Sequence, residues 1–154
     1  MRRFGLFLIT LLATGILTRG QNPLSVSPPE KDNSPQAELA SFSIDSRLQI
    51  NLFADETMGI ANPVCFRWDP LGRLWVLCTW SYPQLKLGTK PDDKLIILED
   101  TDGDGRADKS STFADGLNMP TGFALGHGGV YIGNGRDLIH VKDTSGNGKA
   151  DQRE

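Results

Sequence analysis

Cysteine is scarce in this 154-residue chain: there are two, Cys65 and Cys78, thirteen positions apart. Zinc sites bring cysteines within two to four residues of each other, so that pair is not a metal motif, and no Cys-x-x-Cys-His offers a covalent haem. Histidine is as rare, with only His127 and His140. Positive charge is not in excess: the formal net charge is −3, without the clustered basic face that nucleic acids demand, so no nucleic-acid partner is expected. Apolar runs are short. The longest, residues 4–17, falls below the ~20 residues that cross a bilayer. No Ser-His-Asp or Cys-His pattern stands out as a catalytic constellation.

What is present begins with an export pattern. Arg2 and Arg3 precede the apolar run, and Thr18 and Gly20 place small residues before a cut at Gln21. That is a signal peptide over residues 1–20, with a single membrane anchor as the alternative. Either sends the protein out of the cytoplasm, to a periplasmic or extracellular setting, membrane-associated if the segment is retained. Residues 21–40 are rich in Pro, Ser, Asn and Gln, which cannot bury enough surface to offset ordering, so a disordered linker is expected there. The folded region then runs over residues 41–154.

Within it the chain reads as all-β. Val64-Cys-Phe-Arg-Trp68 and Leu74-Trp-Val-Leu-Cys78 flank the turn Asp69-Pro-Leu-Gly72. A four-residue turn there pairs Trp68 with Arg73 and Cys65 with Val76. Val64, Phe66, Trp68, Trp75 and Leu77 then share one face, and Cys65, Leu74, Val76 and Cys78 the other. The cysteines would be diagonal neighbours, ~7 Å apart at Cβ, and remain free thiols. Both faces are apolar, so the sheet should be covered on both sides. Lys94-Leu-Ile-Ile-Leu-Glu99 follows, then a polar outer strand over residues 109–113. The order recurs with strands at 121–125, 130–132 and 138–141. Residues 41–53 precede both units; Leu48, Ile50 and Leu52 alternate with polar residues and predict a strand that closes a ring.

The most specific pattern is a phrase that occurs twice. Asp100-Thr-Asp102-Gly-Asp104-Gly-Arg106-Ala-Asp108 recurs as Asp143-Thr-Ser145-Gly-Asn147-Gly-Lys-Ala-Asp151, 43 residues on, close to the length of one propeller blade. The expected fold is an incomplete β-propeller of about two four-stranded antiparallel blades. Propellers close with about 4–8 blades, so the sequence reads as the N-terminal part of a longer ring, and the missing remainder of the propeller is its first partner; self-association is the alternative.

Oxygen-bearing side chains on alternate positions, separated by glycines, suit a hard cation such as Ca²⁺ at ~2.4 Å. Asp100, Asp102, Asp104, the Arg106 carbonyl and Asp108 are the first candidate set; Asp143, Ser145, Asn147 and Asp151 are a second with fewer charges. An EF-hand is excluded because strands, not helices, flank the loops, and the twelfth position of the first is Ser111. The competing possibility is a polar turn held by its own Asp side chains. In either case the role is structural.

Between the second and third strands of the first unit lies an additional segment, residues 79–93, bearing Trp80, Tyr82, Lys86 and Lys90. It is a candidate ligand loop if the rings are exposed, and a packed loop if they fold down. His127, in a glycine-rich turn, and His140, in an apolar strand, read as structural.

The strings Asn62-Pro-Val64, Trp68-Asp-Pro-Leu-Gly-Arg-Leu-Trp-Val76, Tyr82-Pro83, residues 94–109 and Phe113-Ala-Asp-Gly-Leu-Asn-Met-Pro-Thr-Gly122 resemble the start of a membrane-bound dehydrogenase family of planctomycetes and relatives. The resemblance covers about residues 48–151. It implies an N-terminal propeller similar to soluble quinoprotein glucose and sorbosone dehydrogenases, a pyrroloquinoline quinone (PQQ) cofactor, a small sugar-like substrate, and a c-type cytochrome domain further along in longer members. It assigns no quinone-binding or catalytic residue here. Two functions are therefore carried forward: an exported oxidoreductase, and a non-catalytic, calcium-stiffened propeller that binds glycans or proteins.

Overall fold

A computed structural model describes residues 32–83 and 87–154. The expected signal peptide and most of the expected linker lie outside them. The described chain is all-β, with two four-stranded antiparallel sheets and little helix. The first sheet has the order β1 (Pro63–Trp68), β2 (Leu74–Cys78), β3 (Asp93–Glu99), β4 (Lys109–Leu117). The second has β5 (Pro120–Gly126), β6 (Gly129–Asn134), β7 (Asp137–Lys142) and β8 (Gln152–Arg153).

Each strand is joined to its neighbour by the turn its residues dictate. His127 and Gly128, both at positive φ, form the two-residue turn between β5 and β6, and Gly135 opens the next one. The repeated Asp/Gly phrases connect β3 to β4 and β7 to β8, the same corner of each sheet.

The sheets pack face to face. Trp75, Leu77, Leu95 and Ile97 of the first sheet, with Phe113, Ala114 and Leu117 of its own β4, share one buried core with Phe123, Val130, Ile132 and Val141 of the second. Trp75 and Phe113 touch edge to face at 4.8 Å.

The register of β1 and β2 differs from the sequence expectation by one residue. Trp68 opposes Leu74, Phe66 opposes Val76 and Cys65 opposes Leu77. The cause is the turn. Asp69 and Arg73 form the closing pair, and Gly72 at φ 78° is the left-handed third residue of a three-residue loop. A one-residue shift exchanges the faces. Trp75 and Leu77 now share a face with Cys65, while Phe66 and Trp68 share theirs with Val76 and Cys78. The thiols are free, as expected, but because they lie on opposite sides of the sheet rather than diagonally on one; Cys65 is half-buried and Cys78 buried.

Asp69 anchors that turn. Its carboxyl accepts from the backbone of Leu71 (2.9 Å) and Arg73 (3.0 Å), from Arg73 Nε (2.7 Å) and from Trp75 Nε1 (2.9 Å). Burial pushes the carboxyl up, but the Trp75 indole and the other donors outweigh it and hold the group below its usual range. Asp69→Asn should therefore lose about 1.5–3 kcal/mol at neutral pH. A depressed native value means that the contribution is complete above the unfolded-state value of about 4 and is lost as pH falls through the native one. Urea curves of the two proteins should converge only in strong acid.

Two segments differ from expectation. Residues 35–40, expected at the end of the linker, lie in helix α1 (Pro35–Ser41), because Ser34 caps it through Ala37 N (3.2 Å) and Pro35 suits its first turn. Residues 41–53, expected to hold a strand, form none: a turn at Asp45 interrupts them, and no neighbouring strand offers a ladder. Beyond them, Phe53, Ala54, Met58 and Ile60 pack on Val76, Cys78, Ile96 and Leu98, covering part of the outer face of the first sheet. Phe66 and Trp68 on that face stay 60% and 54% exposed, so the coverage expected on both sides is incomplete at β1.

Candidate metal and ligand sites

The two repeated loops have the same internal wiring. In the first, Asp100 accepts from Gly103 N (2.7 Å) and Gly105 N (2.9 Å); in the second, Asp143 accepts from Gly146 N and Gly148 N, both at 2.7 Å. All four glycines sit at φ between 74° and 86°, which a side chain would strain. Asp104 and Asn147 each cap the second residue beyond, Arg106 N at 2.8 Å and Lys149 N at 2.9 Å. Asp108 and Asp151 close the loops by accepting from Thr101 and Thr144, backbone and hydroxyl alike. The Gly105 amide holds Asp100 below the ordinary carboxyl range, the Gly148 amide does so for Asp143, and the Thr144 amide for Asp151.

Three carboxylates of the first loop converge: oxygens of Asp100, Asp102 and Asp108 lie within 4.8 Å of one another. Asp104 is not in that group, and the position of the Arg106 carbonyl relative to it is not part of this triad. The oxygens of Asp100 and Asp102 that accept loop amides take one each and keep a lone pair for a cation, whereas Asp108 Oδ2 already takes both the amide and the hydroxyl of Thr101. The second loop retains only two carboxylates, Asp143 and Asp151; Ser145 Oγ turns inward to Asp143 at 3.2 Å.

Each loop also docks on a preceding segment. Ala150 N donates to the Phe113 carbonyl of β4 at 2.7 Å, and Ala107 N donates to the Phe53 carbonyl at 2.8 Å. Lys149 Nζ meets Asp115 at 2.8 Å and, with the hydrogen bond as the main cause, lowers that carboxyl. Asp55, at the position corresponding to Asp115, is held below the ordinary carboxyl range chiefly by the hydroxyl and amide of Thr57, with no ion pair to Arg106. The sequence carries the signal for this: Phe53-Ala-Asp55 repeats as Phe113-Ala-Asp115.

The segment after β2 is organised by a residue the sequence did not single out. Asp93, fully buried at the start of β3, accepts from Thr79 Oγ1 (3.0 Å), Trp80 N (2.7 Å), Ser81 N (2.9 Å) and Met119 N (2.8 Å). It joins the bend at 79–81 to the residue that enters β5. An acid two residues ahead of the apolar run Leu95–Leu98 was the available clue. Trp80 and Tyr82 are exposed, at 47% and 60%, so they do not fold down as packing, and Lys94 Nζ lies 5.3 Å above the Trp80 ring. Lys90 is exposed nearby; Lys86 lies outside the described residues.

His127 lies in the β5–β6 turn and His140 in β7, and Tyr131 of β6 links them. His127 Nδ1 pairs with Tyr131 Oη at 2.9 Å, Tyr131 stacks on His140 at 4.1 Å, and His140 Nε2 meets the Gly126 carbonyl at 3.2 Å. Between the two hairpin ends is a cleft of about 540 Å³, bordered by Asp69, Trp75, Phe113, Leu125 and Asp143. No described helix is long and apolar enough to cross a membrane.

By its sequence pattern over residues 34–154, the chain belongs to a family described as a domain of unknown function, DUF7133. No curated protein and no solved structure matches it.

Proposed function

We propose that this member of the family forms two blades of a calcium-stabilised β-propeller within an exported, dehydrogenase-like protein. The observation that carries the proposal is the doubling: two successive sheets with one strand order, packed face to face, each with the same wired Asp/Gly loop at the same corner. Covered faces and repeated corners are what radial stacking requires. Further units of the ring are then the partner that the exposed Phe66 and Trp68 face awaits.

Asp100, Asp102 and Asp108 would hold the cation, supplying charge neutralisation and a fixed corner rather than an activated water. The second loop, with two carboxylates, would bind more weakly. The sequence resemblance adds the expectation of a quinone cofactor, a small sugar-like substrate and a c-type cytochrome as electron acceptor in the complete protein. None of the described residues is assigned to the quinone, and no catalytic step is drawn through it. Export to the periplasm or cell exterior, on the N-terminal sequence, would supply the calcium.

The second function, a non-catalytic propeller that binds glycans or proteins, draws on one observation: Trp80 and Tyr82 present open rings on the loop before β3. Aromatic rings beside a lysine suit a sugar face or a peptide.

Calcium decides the first part. At a hundredfold excess over its Kd, one bound ion adds about 2.7 kcal/mol and should raise Tm by on the order of 10 °C over the chelated protein. Asp102→Ala should erase most of that increment while leaving the chelated Tm nearly unchanged, because its one modest loop bond is to Asp104 N at 3.2 Å. Equal Tm with calcium and with chelator would sink the metal assignment.

A further inference from the structure

We infer that residues 49–55 are the outermost strand of a third sheet, whose three inner strands come from another unit of the same repeat. This rests on the propeller proposed above and adds a closing device to it.

Two equivalences place the segment. Phe53-Ala-Asp55 repeats the Phe113-Ala-Asp115 of β4, which aligns residues 49–55 with 109–115. The Phe53 carbonyl takes the Ala107 amide just as the Phe113 carbonyl takes the Ala150 amide, at 2.8 and 2.7 Å. Toward the sheet that follows, residues 53–55 thus behave as β4 does. Asn51 adds a side-chain bond to the Gly105 carbonyl of the same loop.

The difference lies on the other side. β4 is laddered to β3, with Thr112 opposite Ile96 and Ala114 opposite Leu95, whereas residues 49–55 have no ladder. The same alignment sets Leu52 and Ala54 opposite the counterparts of Ile96 and Leu95 in an incoming strand. The occupant is therefore a three-stranded antiparallel unit whose third strand is apolar, like Lys94–Glu99, and runs into an Asp/Gly loop. Such a unit would also lie over Phe66 and over the part of Trp68 that its edge contact with Phe53, at 5.0 Å, leaves exposed. Covering that face and completing that ladder would be one event.

The test is photo-crosslinking in the protein produced from its own gene, with p-benzoylphenylalanine in place of Leu52 in one preparation and of Phe66 in another. The Leu52 probe should join an apolar strand that precedes an Asp/Gly loop and is distinct from residues 93–99 and 137–142. A product with residues 137–142 would mean that a second copy fills the place, and an unrelated polypeptide or no product would mean that no repeat does; each overturns the inference. The Phe66 probe judges the ring separately. If it joins a repeat sheet while Leu52 does not, the propeller stands and the closing strand falls; if neither joins one, both fall.

Discussion

Asp93→Ala is expected to lower the stability of the protein by about 3–5 kcal/mol, measured by urea unfolding. The carboxyl group has no exposure, and it takes four donors: a hydroxyl from Thr79 and the backbone amides of Trp80, Ser81 and Met119. Alanine removes every acceptor while the donors stay in place, and Thr79 and Ser81 are buried where water cannot replace them. The asymmetry decides the size: making one such bond contributes about 1 kcal/mol net, but leaving a buried donor empty costs about 1–3. Asp93→Asn keeps one oxygen and turns an amino group on the remaining donors, so it should fall between the two. The damage should also be directional. Amide exchange at Trp80 and Ser81 should rise before exchange in β2 and β3, and trypsin should cut at Lys90 sooner. A loss below about 1 kcal/mol would show that water or a neighbour substitutes for the carboxyl.

Gly129→Ala should be nearly as costly, about 3 kcal/mol, although the residue is only partly buried and has an ordinary φ. A methyl built there would lie 2.3 Å from the Val141 carbonyl oxygen, as well as 2.7 Å from Lys142 Cγ and 2.9 Å from His140 Nε2. The lysine can swing away. The carbonyl belongs to β7, and moving it separates Val130 from Val141, both buried between the sheets. Gly122→Ala, on the neighbouring strand β5, meets nothing within 4 Å and is the matched control, expected to change stability by less than about 1 kcal/mol. If both alanines behave alike under thermal and urea unfolding, close packing across β6 and β7 is not what the glycine serves.

These two residues also show where sequence reasoning reached its limit. Most strand positions were legible, because β-branched and aromatic runs bounded by Gly, Pro and Asp leave few alternatives; β2 carries the predicted ends, β1 and β3 to β7 extend by one to several residues, and the strand expected within residues 41–53 does not form. The repeated loops were legible as a pair because their glycines and aspartates are local, and a loop of that kind wires itself. Register was not. One left-handed glycine in the Asp69–Arg73 turn shortens the loop from the four residues expected to three and exchanges the faces of β1 relative to β2, an outcome no periodicity reveals. Long-range partners were not legible either: Asp93 gathers groups from positions 79–81 and 119, and Phe53 receives a loop amide from position 107. The short Phe-Ala-Asp repeat was in the sequence, yet its meaning depends on the hydrogen bond that the fold supplies.

The placement of the two sulfurs has a consequence wherever the chain meets an oxidant. The sheet itself stands between Cys65 and Cys78, so no side-chain rotation can unite them while β1 and β2 stay in register. An oxidant could link them only in a chain that had already let the hairpin slip, and the covalent tie would then bar the return to the native pairing. Oxidation before folding is complete would act as a trap, which only the pairing of β1 with β2 closes off.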